Sequence, residues 1–192
     1  MPSVATRSAV KRAGPVKRPH AATTRATKPT RAAKPTRAAK PTGAAAEKQL
    51  ASFLAKYRTD VARLARALRG RLRAAIPGGV EFVYDNYNSL VLGYGPTERP
   101  SNAVLSLALS PRWVNLCFLQ IARLKDPDRI LLGSGKVARH VPLASLDEFE
   151  RAAVQRLLDQ AIRDASPGFS DDGGPRLVIQ SISAKQRPRR PD

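Results

Sequence analysis

The chain is short of the residues that most sharply define chemistry: among 192 residues it has one cysteine, Cys117, and two histidines, His20 and His140. A lone thiol closes no internal disulfide, so the fold does not rest on one, and the chain suits a reducing compartment, the cytoplasm. Metal sites need about three or four converging ligands. Cys117, His20 and His140 do not stand at ligand spacing, so no metal and no cofactor are expected. Cys117 reads as a small buried hydrophobe in a strand and His140 as a satisfied strand histidine. The two can still become neighbours across strands, and thiolate chemistry there would need an exposed thiol of lowered pKa. No window approaches the roughly 18 apolar residues of a membrane span. Nor do the first residues contain the apolar run, about 7 to 15 long, of a secretory signal. Their Arg, Ser and Ala fit a transit peptide, but Pro15, Pro19, Pro29, Pro35 and Pro41 interrupt the amphipathic helix such peptides form, so organelle targeting is not expected.

Acidic residues are also missing where they would matter most. Residues 1–45 carry eleven Lys or Arg and no acid, whereas residues 46–182 carry 19 basic against 14 acidic residues. The net charge of +19 therefore sits mostly at the ends, with Lys185, Arg187, Arg189 and Arg190 closing the chain. Such ends suit a polyanion, nucleic acid before an anionic membrane surface.

The basic leader contains a repeat, Lys28-Pro-Thr-Arg-Ala-Ala, Lys34-Pro-Thr-Arg-Ala-Ala and Lys40-Pro-Thr-Gly-Ala-Ala. With no large apolar residue after Val16 it has nothing to bury and is expected to be disordered. Arg25, Lys28, Arg31, Lys34, Arg37 and Lys40 fall at every third position. In polyproline II geometry that spacing lines cations along one side at intervals of roughly 9 Å. The functional reading is a ladder for phosphate backbones without sequence preference. The plain one is a solubilising low-complexity leader.

Beyond it the pattern predicts one α+β domain. Order is expected from near Glu47. Leu50, Phe53, Leu54 and Tyr57 occupy one helical face, and a second helix runs from Thr59-Asp60 to Ile76 with Val61, Leu64, Leu68, Leu72 and Ile76 as its stripe. Pro77-Gly78-Gly79 ends it. Arg58, Arg63, Arg66, Arg69 and Arg73 read as its solvated face, or as an extension of a polyanion site. Gly70 suggests close packing or a kink. The period then changes to two: Val80, Phe82 and Tyr84 alternate with Glu81, Val83 and Asp85, Asn86 to Ser89 turn, and Leu90 to Tyr94 return. Strands at Leu105–Leu109, Trp113–Leu119 and Val137–Leu143 complete about five, joined mainly by short turns and so antiparallel, covered by two N-terminal helices and one C-terminal helix. Ser145-Leu146-Asp147-Glu148 is a capping box for that last helix, which runs to about Ala165. It also accounts for the acidic cluster there. Leu177–Ile182 is apolar enough for a sixth, edge strand. The expected organisation is a disordered tail over 1–45, the domain over 46–165, a loop and edge strand over 166–182, and a basic tail over 183–192.

Several stretches together resemble the YdhG-like domain family, a largely uncharacterised bacterial group placed near frataxin in fold. They are Phe53-Leu-Ala-Lys-Tyr, Trp113-Val-Asn-Leu-Cys-Phe, Leu124-Lys-Asp-Pro, Leu132-Gly-Ser-Gly-Lys-Val-Ala-Arg-His and Leu146-Asp-Glu-Phe. The resemblance covers roughly Leu50 to Ala165. It implies helices around an antiparallel sheet and no established catalytic residues. Some members are described as iron chaperones, a role that in frataxins rests on an acidic helix surface. This chain departs from that, since its first two helices are rich in arginine, with only Glu47 and Asp60 acidic.

Gly133-Ser-Gly-Lys136 lacks the spacer of a Walker sequence and enters a strand in place of a helix, so a turn is the better reading. Even so, Arg123, Lys125, Arg129, Lys136, Arg139 and His140 cluster in sequence and can form an anion pocket with Tyr84, Tyr87 or Trp113. The expectation is a non-enzymatic binding module, its tails neutralising phosphates on nucleic acid while the core takes a small anion or a protein. The alternative is a metal-handling or small-ligand protein with an incidental tail.

Overall fold

The computed structural model describes residues 42–170, 174 and 176–190. The chain divides into two units, residues 1–37 and 38–192, and every described helix and strand belongs to the second. Arg25, Lys28, Arg31, Lys34, Arg37 and Lys40, with their repeats, lie outside the described residues.

Helix α1 (Gly43–Leu54) starts a few residues ahead of Glu47 and buries Ala46, Leu50, Phe53 and Leu54 along one stripe. Thr42, just before it, bridges antiparallel to Val178. Helix α2 (Thr59–Ala75) buries Val61, Leu68 and Leu72 of the stripe read from the sequence together with Ala62 and Ala65, while Leu64 is only partly buried. Tyr57 lies past the end of α1 but is fully buried, its hydroxyl accepting from the Leu90 amide at 2.8 Å and donating to the Leu109 carbonyl at 3.3 Å. The corner between the helices is thereby tied to two strands. Close packing does not explain Gly70: α2 is continuous through it, and a Cβ there would meet nothing within 4 Å.

Strands β1 (Val80–Asp85), β2 (Leu90–Gly95), β3 (Leu105–Leu109), β4 (Val114–Phe118) and β5 (Arg139–Leu143) form an antiparallel meander. A sixth, β6 (Arg176–Ile182), joins the free edge of β1 in parallel, giving the order β5-β4-β3-β2-β1-β6. The expected five-stranded antiparallel sheet is thus the larger part of a six-stranded mixed one. Parallel pairing becomes available because the chain leaves β5 through helices, a crossover that short turns do not provide. Val137, expected to open β5, stands outside it and is 71% exposed.

The expected C-terminal helix is two helices, α3 (Leu146–Glu150) and α4 (Ala152–Arg163), broken at Arg151, where ψ is 134°. The Ser145 hydroxyl accepts from the Glu148 amide at 3.3 Å, and the Glu148 carboxylate accepts from the Ala144 amide, one residue earlier than a strict capping box. The break resets the helical phase, so α4 buries Val154 and Leu158 beside Leu157 and Ala161.

One face of the sheet carries the core. Ile179, Val83, Leu92, Leu107, Leu116 and Val141 are register partners across all six strands and form a continuous apolar row. Burying each such side chain contributes about 1.5–3 kcal/mol. Alternation along β1 then places Glu81 and Asp85 on this same inner face, one on either side of the row at Val83, and both are 1% exposed.

Candidate anion-binding cleft

Two acids inside a core need partners, because an unpaired buried charge is costly. Glu81 accepts from Arg69 Nε at 2.8 Å and Arg69 Nη2 at 2.9 Å, from Arg73 Nε at 3.1 Å, and from the Tyr94 hydroxyl at 3.1 Å. Glu47 closes the network, accepting from Arg69 and Arg73 at 2.7 and 2.8 Å. The hydrogen bond from Arg69 holds the Glu47 carboxyl below its ordinary range, against a smaller opposing effect of burial. Burial works against the Arg69 charge, but the bonds to Glu81 and Glu47 outweigh it and raise its pKa. Burial, with Glu81 beside it, pushes the Tyr94 phenol well above its usual value. Arg69 and Arg73 are therefore not part of a solvated face.

Asp85 is satisfied by residues from both ends of the domain. Lys56 Nζ lies 2.9 Å away, Gln186 Nε2 donates at 2.6 Å and Arg189 Nη2 at 3.2 Å. Arg189 also donates to the Asn86 carbonyl and lies over the Tyr57 ring, 5.6 Å from its centroid. Arg190 donates to the carbonyls of Tyr57 at 3.1 Å and Ala55 at 2.8 Å. Residues 183–190 are thus a strap laid across one end of the sheet. Arg189, 4% exposed, is not available to a phosphate in this arrangement, whereas Lys185 and Arg187 are exposed.

A group of cations without acidic partners among the described residues lies elsewhere, in the connection between β4 and β5 and at the start of β5. After β4 the chain makes a single 3-10 turn at Ile121–Arg123 and a tight turn in which the Arg129 amide donates to the Asp126 carbonyl at 3.3 Å. The Asp126 carboxylate caps that turn, accepting from the amides of Ile130 at 3.1 Å and Leu131 at 2.9 Å. Arg129 takes φ 53°, an uncommon conformation for a residue with a side chain. Leu132 then doubles back on β5, exchanging two backbone hydrogen bonds with His140 at 2.7 and 3.0 Å. Gly133 allows this with φ 102°, and at Gly135 any Cβ would run into the Ala138 carbonyl. Gly133-Ser134-Gly135-Lys136 is therefore a backbone turn whose glycines have a steric reason.

The result is an open cleft of about 540 Å³ lined by Ile121, Ala122, Leu124, Asp126, Arg129, Leu131, Lys136 and Arg139. Its floor is aliphatic and its rim cationic. Lys136 and Arg129 make no ion pair among the described residues, and Arg139 makes only a long 3.4 Å bond from Nε to the Gly135 carbonyl.

The sequence grouping is only partly assembled. Lys136, Arg139 and Arg129 converge. Arg123 faces a smaller neighbouring recess of about 380 Å³ and donates to the Asp164 carbonyl at 3.1 Å. His140 is absent from the cleft lining; its ring sits near Gly133, and its register partner is Cys117. Trp113 lies before Val114, at the end of β4 opposite Phe118 and Arg139, and is 44% exposed. Tyr84 and Tyr87 belong to β1 and its turn, with β2 and β3 between them and β4. No aromatic side chain among the described residues joins the cleft lining. Cys117 is half-buried, its thiol raised by burial, which disfavours the thiolate. Among the described residues no group of three or more His, Cys, Asp or Glu is placed to hold a metal ion, and no helix is long and apolar enough to cross a membrane.

Comparison with protein-family models, with curated proteins and with solved structures gave no significant match to this chain.

Proposed function

We propose that this chain is a non-enzymatic binding protein that engages nucleic acid through its basic N-terminal arm, without sequence preference, on a folded α+β body. The observation that carries this reading is the segregation of charge. Residues 1–45 hold eleven cations and no acid, while the body spends many of its own on internal carboxylates: Arg69 and Arg73 on Glu47 and Glu81, Lys56 and Arg189 on Asp85, Arg71 on Glu150, Arg156 on Asp128 and Arg176 on Glu98. A body with 19 basic against 14 acidic residues, beside an arm with eleven cations and no acid, is the arrangement expected when the arm meets an external polyanion. Exposed Lys185 and Arg187 extend the same role at the other end, in place of the full set of four.

That the body is a YdhG-like domain is proposed from the resemblance of its sequence stretches alone. An iron-handling role finds no donor set among the described residues. A cytoplasmic setting suits the single, half-buried thiol. The test is fluorescence anisotropy of labelled DNA and RNA with the full chain and with a full-length variant carrying Gln at Arg25, Lys28, Arg31, Lys34, Arg37 and Lys40. Loss of binding in the variant supports the arm as the contact; equal binding by the two chains removes it.

A further inference from the structure

We propose that the cleft at Arg129, Lys136 and Arg139 binds a phosphate monoester on a small organic body, either a free mononucleotide or the phosphorylated end of a strand. This concerns the core's own ligand and stands whether or not the arm binds nucleic acid.

Size and polarity come first. At about 540 Å³ the cleft falls among small-molecule sites, which span roughly 300–1,000 Å³, and is larger than inorganic phosphate needs. Ile121, Leu124 and Leu131 form an aliphatic floor continuous with the hydrophobic core, so the complementary ligand has an apolar body as well as a charged group.

Charge then selects the group. Three cations and one carboxylate line the cleft, and the carboxylate of Asp126 is turned onto the Ile130 and Leu131 amides. The surplus of two positive charges matches a phosphate monoester, which carries about −1.5 to −2 at neutral pH, better than an internal phosphodiester with one. Arginine adds the fork that pairs two phosphate oxygens at once.

Preorganisation is the third argument. Arg129 is the one non-glycine residue with positive φ among the described residues, and its side chain lines the cleft. Lys136 and Arg139 flank the turn fixed by Gly135 against the Ala138 carbonyl, below the Leu132–His140 bridge. An unusual backbone held by capping and bridging bonds at a charged lining residue is where a binding role is to be sought.

The test uses the full chain with all eleven Lys and Arg of residues 1–45 replaced by Gln, so that the arm carries no cation, titrated calorimetrically with AMP, adenosine and inorganic phosphate. Two oligonucleotides alike except for a terminal phosphate form a second pair. The expected result is one site for AMP, no binding of adenosine and much weaker binding of inorganic phosphate. Lys136→Gln or Arg139→Gln should lower AMP affinity about tenfold or more, as losing a charge-assisted hydrogen bond does. Both positions are exposed, so the variants should fold, and amide shifts at Ile130, Leu131 and Arg139 on adding AMP locate the site without mutation. Preference for the phosphorylated oligonucleotide without AMP binding identifies the strand end as the source. Equal binding of the two oligonucleotides with AMP bound identifies the free mononucleotide as the source; no binding of any phosphate monoester, or AMP affinity unchanged in both variants, overturns the proposal.

Discussion

Replacing Asp85 by Ala should destabilise the fold strongly, because it strands a cation that has nowhere else to go. The Asp85 side chain is 1% exposed and that of Arg189 2% exposed, and among the described residues the only other acceptor of the Arg189 guanidinium is the Asn86 carbonyl. Its Nε and Nη1 are buried without a partner among the described residues. Removing one member of a buried pair costs about 3–5 kcal/mol, a large part of a total that is typically about 5–15 kcal/mol. The reverse change is milder. In Arg189→Ala the carboxylate keeps Lys56 at 2.9 Å and Gln186 at 2.6 Å, so the loss should be near the value of a charged hydrogen bond, about 1.5–3 kcal/mol. In the double variant the two costs should fall short of their sum by about 1–3 kcal/mol, the signature of direct coupling. Urea unfolding followed by circular dichroism reads this: at a slope of about 2 kcal/mol/M, Asp85→Ala moves the midpoint down by about 1.5–2.5 M. A shift below about 0.5 M, or additivity of the two single variants, would refute the buried pair and with it the docked strap.

The same geometry gives three further expected outcomes. Gly70→Ala should stabilise by about 0.5–1 kcal/mol in urea unfolding, since the site is exposed, helical and open around its Cβ. The Glu47 carboxyl is depressed by Arg69, so its contribution is present above its ordinary value of 4.5 and is lost as pH falls through the lower folded value. Glu47→Gln should accordingly flatten the acid limb of a stability-against-pH curve, and a limb unchanged in slope would contradict the pairing. Gly135→Ala should shift amide resonances across residues 132–140, because its Cβ displaces the Ala138 carbonyl, while leaving those of β1 and β2 in place.

What was legible in the sequence was local. The period-two pattern and the Asn86–Ser89 turn place the first hairpin, whose turn closes with an Asn86 amide to Ser89 carbonyl bond of 3.0 Å, and Pro77-Gly78-Gly79 ends α2 within a residue of the expected point. What stayed hidden depends on partners far along the chain. Glu81 and Asp85 read as the polar side of β1, but Arg69 and Arg73 come from α2, and Arg189 lies 104 residues beyond Asp85. A usable sign was present for Glu81: an acid in an apolar strand that follows a helix carrying two arginines four apart, Arg69 and Arg73, both of which it takes as donors. The parallel pairing of β6 with β1 is equally non-local. The cationic cleft was half legible because sequence clustering follows the loop but ignores strand length. Trp113 sits five residues before Phe118, about 17 Å along β4 from the cleft end.

The measurement that bears most directly on the central claim is the salt dependence of nucleic-acid binding by the full chain and by its six-cation arm variant. An arm whose eleven cations engage six to ten phosphates should lose about 10³- to 10⁵-fold in affinity between 50 and 200 mM salt, alike for unrelated sequences, and the variant, which lacks six of the eleven, should lose about half of that slope. A full chain that fails to bind DNA and RNA even at low salt, or a slope that survives replacement of all six cations, would contradict the account.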